Sequence, residues 1–303
     1  MIATGSRSKV GFIPEVTFGT IPATPNLTEV PFTSFSVNLT RDEYDDTSIR
    51  SDRMERYSLS GNKSVAGSMD VNFAHGQFDS FLESLVYGTW TTNSLTVGTT
   101  RKSFTVEEAQ MDISQYRVYT GVMVDKLEIT VPASGIVTAK FDLLGKNQSA
   151  LAAVTIDADT NWTAAVVRQP FTDNGVSGFV KEGGTATGII TNIQMVIDNG
   201  HAKNYTVGTD VIRDFTAGNI KVTGTVSVFF EDAVMYNKFI NGTSTSLDIK
   251  LDDGTNNFEI LLPNVKLTGA TKTINGNGPV TMSMPFKALY DGTTTSNIKF
   301  TRS

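Results

Sequence analysis

Gly61-Asn62-Lys63-Ser64-Val65-Ala66-Gly67-Ser68-Met69-Asp70-Val71-Asn72-Phe73 is the stretch whose reading decides the fold. Gly61 and Asn62 supply turn geometry. Val65, Gly67, Met69, Val71 and Phe73 then alternate with polar or small residues, the period of a strand with one buried face. The pattern returns as Gly218-Asn219-Ile220-Lys221-Val222-Thr223-Gly224-Thr225-Val226-Ser227-Val228-Phe229-Phe230. A second echo follows each copy: Lys126-Leu127 with Gly135-x-Val137-Thr138, then Lys266-Leu267 with Gly278-x-Val280-Thr281. Two echoes in one order predict two tandem copies of a mainly β module, the second with a shorter middle.

The rest of the chain divides around these copies. Residues 1–34 read as an extended N-terminal arm, because Pro22 and Pro25 forbid a helix and no helical period is present. Its apolar Phe12, Val16 and Phe18 need a place to bury, on the chain's own module or on a neighbouring subunit. The first module covers 35–146, a connecting segment 147–190, the second module 191–292, and a Thr/Ser-rich tail 293–303. Phe78, Phe81, Leu82, Leu85 and Val86 have the spacing of an amphipathic helix ending near Gly88. Ala233, Tyr236 and Ile240 repeat that spacing up to Gly242 and predict one flanking helix in each module.

Composition limits the function. The 303 residues are 39% hydrophobic and 18% charged, enough apolar material for a large core. A net charge of −6 argues against a protein that grips nucleic acid through its phosphates. There is no cysteine, so no disulfide frame and no thiolate chemistry. The opening MIATGSRSKV lacks an apolar signal core, and no apolar run approaches the roughly 18 residues of a spanning helix, so neither standard secretion nor a membrane span is expected.

No set of residues converges on catalysis. Asp157-x-Asp159-x-Asn161 begins like a calcium loop, but Trp162 stands where the glycine belongs and Arg168 where the glutamate belongs. Gly183–Gly188 lacks the spacing and lysine of a phosphate loop. The two histidines, His75 and His201, have no marked nucleophile beside them. The reading is therefore no enzyme and no metal or cofactor. The densest charge lies between Arg41 and Arg56, where Arg50, Arg53 and Arg56 alternate with Asp42, Glu43, Asp45, Asp46, Asp52 and Glu55. Such a stretch cannot enter a core. It is either a solvated loop or an interface rich in bidentate arginine pairs.

Several stretches together carry a family likeness: Glu15-x-Thr17-Phe18-Gly19-Thr20-x-Pro22-Ala23-Thr24-Pro25, Ile49-Arg50-Ser51-Asp52-Arg53, Gly61-Asn62 with Val65 and Gly67-Ser68, Phe78-Asp79-x-x-Leu82-Glu83, Gly88-Thr89-Trp90, and Gly121-Val122 through Gly145-Lys146. In this order they resemble one group of siphophage major tail tube proteins, closely over about 9–146 and more loosely beyond. Ala74-His75-Gly76 departs from that pattern, which often has an aromatic before the glycine.

The resemblance implies a β-sandwich or curled sheet with one flanking helix per module. It implies a structural subunit of the virion tail, assembled in the host cytoplasm, whose stacked rings enclose a β-barrel channel for viral DNA during ejection. Two modules per chain predict a homotrimeric ring with pseudo-sixfold symmetry, a hexamer being the other possibility. Stacked copies, a tape-measure protein and tail-tip or terminator proteins are the implied partners, and double-stranded DNA passes without specific binding. Expected inter-ring contacts are Arg50, Asp52, Arg53 and Arg56, and expected arm-docking residues are Phe12, Val16 and Phe18. Asp70, Glu128, Asp142 and Glu259 are candidates for an acidic lumen. An adhesive or decorating β-sandwich on a virion or cell surface, and a carbohydrate-acting β-sandwich hydrolase, are the alternatives from other classes.

Overall fold

Gly67 lies in the middle of a long strand, and Gly61-Asn62, read above as a turn, lies inside that same strand. The computed structural model describes residues 2–159, 161–172, 179–187, 189–274 and 276–303. After a short 3-10 turn come β1 (Ser8–Pro14), β2 (Thr28–Glu29), β3 (Ser34–Phe35), β4 (Asn38–Asp45) and β5 (Ser58–Asn72). Helix α1 (Asp79–Val86) precedes β6 (Ser94–Thr96), β7 (Phe104–Gln110), β8 (Gln115–Pro132), β9 (Thr138–Gly145) and β10 (Asn147–Gln148). Next come β11 (Phe179–Glu182), β12 (Thr185–Thr187), β13 (Ile190–Asp198), β14 (Ala202–Asn204), β15 (Asp214–Thr216) and β16 (Lys221–Phe229). Helix α2 (Val234–Ile240), β17 (Thr245–Asp252), β18 (Asn257–Leu267), β19 (Thr271–Thr273), β20 (Thr281–Ala288) and β21 (Lys299–Arg302) complete the chain. The fold is mainly β, with antiparallel sheets and two helices among the described residues.

One pairing pattern occurs twice. In the first half β4 pairs β5, β5 pairs β9, β9 pairs β8 and β8 pairs β7. In the second half β13, β16, β20, β18 and β17 pair in the same sequence. The halves are joined edge to edge, because Lys126–Pro132 of β8 also pairs with Asn192–Asp198 of β13. A continuous sheet β4-β5-β9-β8-β13-β16-β20 results.

The glycine repeat has one cause in both halves. A Cβ on Gly67 would stand 2.4 Å from the Ser36 carbonyl oxygen and 2.5 Å from Val37 Cα. On Gly224 it would stand 2.4 Å from the Gln194 carbonyl oxygen and 2.5 Å from the Phe286 ring. Each glycine lets the neighbouring strand approach where a side chain would block it. Gly61 serves differently: the Tyr44 ring lies across it, 2.4 Å from where its Cβ would be.

One apolar face of the joined sheet looks inward. Phe81 of α1 touches Phe104 and Phe141 at 5.3 and 5.6 Å between ring centres. Phe73 meets Phe258 edge-on at 5.1 Å, and Phe258 meets Phe300 at 5.8 Å, so a single core spans both halves. The tail is fixed by this core, since Phe300 is fully buried and β21 bridges β18 and β6.

Two expectations change here. The 1–34 stretch is not a free arm: β1 pairs along its full length with β7 of its own chain. Phe12 is buried there between Phe81 and Phe104. Its neighbours Gly11 and Glu107 are pinned in turn by the connecting segment, where Trp162 covers Gly11 and Ile156 N–H donates to Glu107. Helix α2 also presents a different face. Met235 and Phe239 reach the core, while Tyr236 and Ile240 point outward. A seven-residue helix has room for one inward i, i+4 pair, and the flexible Met235 with Phe239 forms it.

Gly67→Ala and Gly224→Ala should each lower unfolding stability by about 1–3 kcal/mol, since backbone atoms leave the added methyl no room. Gly5→Ala, with open space around it, should be close to neutral. Urea denaturation of the three variants checks this.

Candidate assembly surfaces

The outer face of the joined sheet is polar, and its register sorts the charges into rows. Asp70 stands beside Lys140, and Lys140 beside Glu128. One row further, Asp142 stands beside Lys126, Lys126 beside Asp198, and Asp198 beside Lys221. Lys126 and Asp142 form an ion pair at 3.8 Å. Three of the four acids singled out in the sequence therefore share this face, and each has a lysine as cross-strand neighbour. Alternation along the strands made their common face legible. The lysine neighbours follow from which strands pair, which alternation does not encode.

Glu259 belongs elsewhere. It lies in the outer half of β18 opposite Lys250, where β18 pairs with β17 and β21.

A hairpin extends from one end of the sheet. β4 and β5 run on past the core to Asp45 and Ser58, closed by residues 46–57. Arg50 donates to Asp46 at 2.7 Å, and Arg56 pairs with Asp52. The charges expected to reach a neighbour are thus largely matched within the loop, because i, i+4 spacing lets a bent loop bring them together. Arg53 holds a left-handed backbone, φ 56°. Beside these charges the hairpin also presents apolar side chains: Tyr44, Ile49, Met54, Tyr57 and Leu59 are all exposed, Ile49 and Met54 at 102% and 67%. These were masked in the sequence by the surrounding charge.

Of the three docking residues expected near the N-terminus, Val16 alone is exposed, at 98%. Phe18 packs edge-on to Phe215 at 5.9 Å, with the Arg101 guanidinium 4.9 Å from its ring.

Two edges of the joined sheet carry no further strand among the described residues. β19 pairs with β20 on one side and with no strand on the other, among the described residues. β4 pairs only with β5, and its far side is met by side chains: Leu39 N–H donates to Gln148 Oε1 at 3.1 Å, and Tyr119 Oη–H donates to the Val37 carbonyl at 2.7 Å.

At the joint between halves lies a buried polar cluster that the sequence did not reveal. His201 is enclosed, its Nδ1 2.6 Å from Asp125 Oδ1 and its Nε2 2.6 Å from Tyr87 Oη. Burial pushes the Tyr87 hydroxyl up to about 12, so it stays protonated. Burial opposes ionisation of Asp125, but hydrogen bonds from His201 outweigh it and hold the carboxyl below its usual range. Both ring nitrogens are engaged, so the cluster ties α1, β8 and the turn after β13 together and leaves no free base. Asp157, which begins the rejected calcium pattern, accepts N–H bonds from Leu27, Asp159 and Asn161 instead.

Asp248 sits beside Glu259, and burial first, then the neighbouring acid, pushes its carboxyl up to about 6 from 3.8. The folded state then binds a proton that the unfolded chain has already released, so stability should fall as pH rises from about 4 to about 6. Asp248→Asn should flatten that slope and melt higher than wild type at pH 7. Thermal melts across this range are the check.

A family model described as phage tail tube protein matches residues 5–288. No curated protein matches the chain. The chain belongs to the phage tail tube protein family.

Proposed function

Taking a phage tail tube protein as the premise, we propose that this chain forms threefold rings by repeating between chains the seam that β8 and β13 make within one. The two halves are read as duplicated modules, so a ring of three chains has a pseudo-sixfold wall. The observation that carries this is the pairing pattern itself. Strand by strand, β19 stands to β20 as Glu128–Thr130 of β8 stands to β9, and β3–β4 stands to β5 as β13 stands to β16. The open edges of each chain are therefore the two halves of the seam already closed at β8–β13. A heterologous contact of this kind closes when the rotation returns to its start, and closure removes the exposed edges.

In such a ring the polar face of the joined sheet lines the channel, and the helices, on the apolar side, lie outside. Asp70, Glu128, Asp142 and Asp198 would face the lumen with Lys140, Lys126 and Lys221 between them. DNA would meet alternating charges at one strand spacing, with no basic surface to hold its phosphates. Stacked rings would carry the genome from capsid to cell. A tape-measure protein would occupy the lumen during assembly, and terminator and tip proteins would close the ends. The hairpin at residues 41–60 would make the contact between rings, through Tyr44, Ile49, Met54, Tyr57 and Leu59 more than through its self-paired arginines.

The natural absence of cysteine permits a direct test. By the β8–β13 register, Asn38 of one chain should stand opposite Thr271 of the next. Asn38→Cys combined with Thr271→Cys should give, on mild oxidation, a series of covalent bands ending at a closed trimer. Bands continuing to six chains would give the ring twice that number, and absence of cross-linking in assembled tubes would overturn the seam.

A further inference from the structure

Residues 40–64 and 198–221 are nearly equal in length and join equivalent strand pairs, Leu39 to Val65 in one half and Ile197 to Val222 in the other. They fold differently. The first carries its strands outward as the hairpin. The second turns back after Asn199, pairs β14 with β15, and buries Ile212 and Phe215 against Met123. Their apolar residues meet different fates: Tyr44, Ile49, Met54, Tyr57 and Leu59 of the first stay exposed among its charges, whereas Tyr205, Ile212 and Phe215 of the second seat on the first half.

The returning segment ends against the root of the hairpin, with Gly208–Asp210 facing Ser60–Asn62. There Arg41 and Lys63 are direct cross-strand partners, two cations side by side. Like charges in that position destabilise a strand pair. Asp210 Oδ2 accepts from Arg41 and from Lys63, both at 2.7 Å. Its carbonyl accepts the Lys63 N–H at 2.6 Å, and Tyr205 Oη–H donates to the Lys63 carbonyl at 3.2 Å. The second half thus neutralises and clamps the base of the first half's hairpin.

We propose that residues 198–221 are a brace, not a second prong, and that Asp210 holds the 41–60 hairpin upright for contact with a copy of the chain in the adjoining ring. This rests on the tube reading above. Each chain then offers one prong, so rings with a pseudo-sixfold wall engage through a threefold set of contacts. The partner surface is the opposite end of the same sheet, where Ile136, Phe229 and Ile274 are exposed at strand ends. Apolar residues at both ends of one sheet suit head-to-tail stacking of identical copies.

The brace is tested first on the unassembled full chain. Asp210→Ala should raise amide hydrogen exchange over residues 41–60 about tenfold or more, with the core strands unchanged, and Asp210→Glu should restore most of the protection. Arg41→Ser added to Asp210→Ala should also recover protection, because it removes the cation pair. Unchanged exchange in Asp210→Ala overturns the brace whether or not tubes form. In assembly, Asp210→Ala should still give rings by native mass spectrometry but tubes at least several-fold shorter by electron microscopy. Tubes of wild-type length, or six equivalent contacts per ring in a reconstruction, would refute the threefold engagement. Failure of the wild-type chain to form rings at all would instead count against the tube reading and leave the exchange result to judge the brace.

Discussion

A single bent strand holds the protein together. β8 gives its first part to β7 and its second part to β9 and β13, so it belongs to two layers at once. The change occurs between Gly121, at φ 64°, and the extra residue Asp125. A side chain at Gly121 would collide with Lys146 and Phe18, and its N–H donates to Glu15 Oε1. A straight strand could not turn its apolar residues from one layer to the next, because a period of two fixes the face. The bulge supplies the turn and frees Asp125 to reach His201.

The joint made there is stiff for a reason beyond area. Asn199 donates to the carbonyls of Leu85 and Val124, and His201 ties Asp125 to Tyr87. A buried group of this kind costs on the order of 1–3 kcal/mol if one partner is lost, so each member holds the others in place. The two halves are thereby fixed at one angle, which any closed ring of a few chains demands.

What the sequence disclosed follows from local rules. The alternation of β5 and β16 around Gly67 and Gly224 and the apolar stripe of α1 are written in consecutive residues and appear as read, whereas Gly61-Asn62, read as a turn, lies within β5. Pairing partners are not local. Lys126 and Lys266 looked equivalent, yet the pairing places Gly269 where Lys126 stands, because β18 and β19 are offset by an irregularity near Thr268. Phe12 was legible as a residue needing burial, while β7 as its cover was not, since β7 lies far along the chain. Among the surface candidates, the common face of Asp70, Glu128 and Asp142 could be read from parity. The self-pairing of Arg50 and Arg56, the capped edge of β4 and the clamp at Asp210 depend on loop geometry that no period announces.

The capped edge has a kinetic meaning. Tyr119 and Gln148 occupy backbone groups that an incoming strand would need. Displacing them costs about 1 kcal/mol for each bond before any new bond forms. Two free chains meeting in solution would face that barrier with nothing else to hold them, whereas in the proposed tube a chain already resting on a completed ring would be retained while the exchange occurs. Polymerisation through that seam would then have a slow nucleus and fast growth, and the number of tubes would be set by how many starting platforms exist and not by how much protein has accumulated.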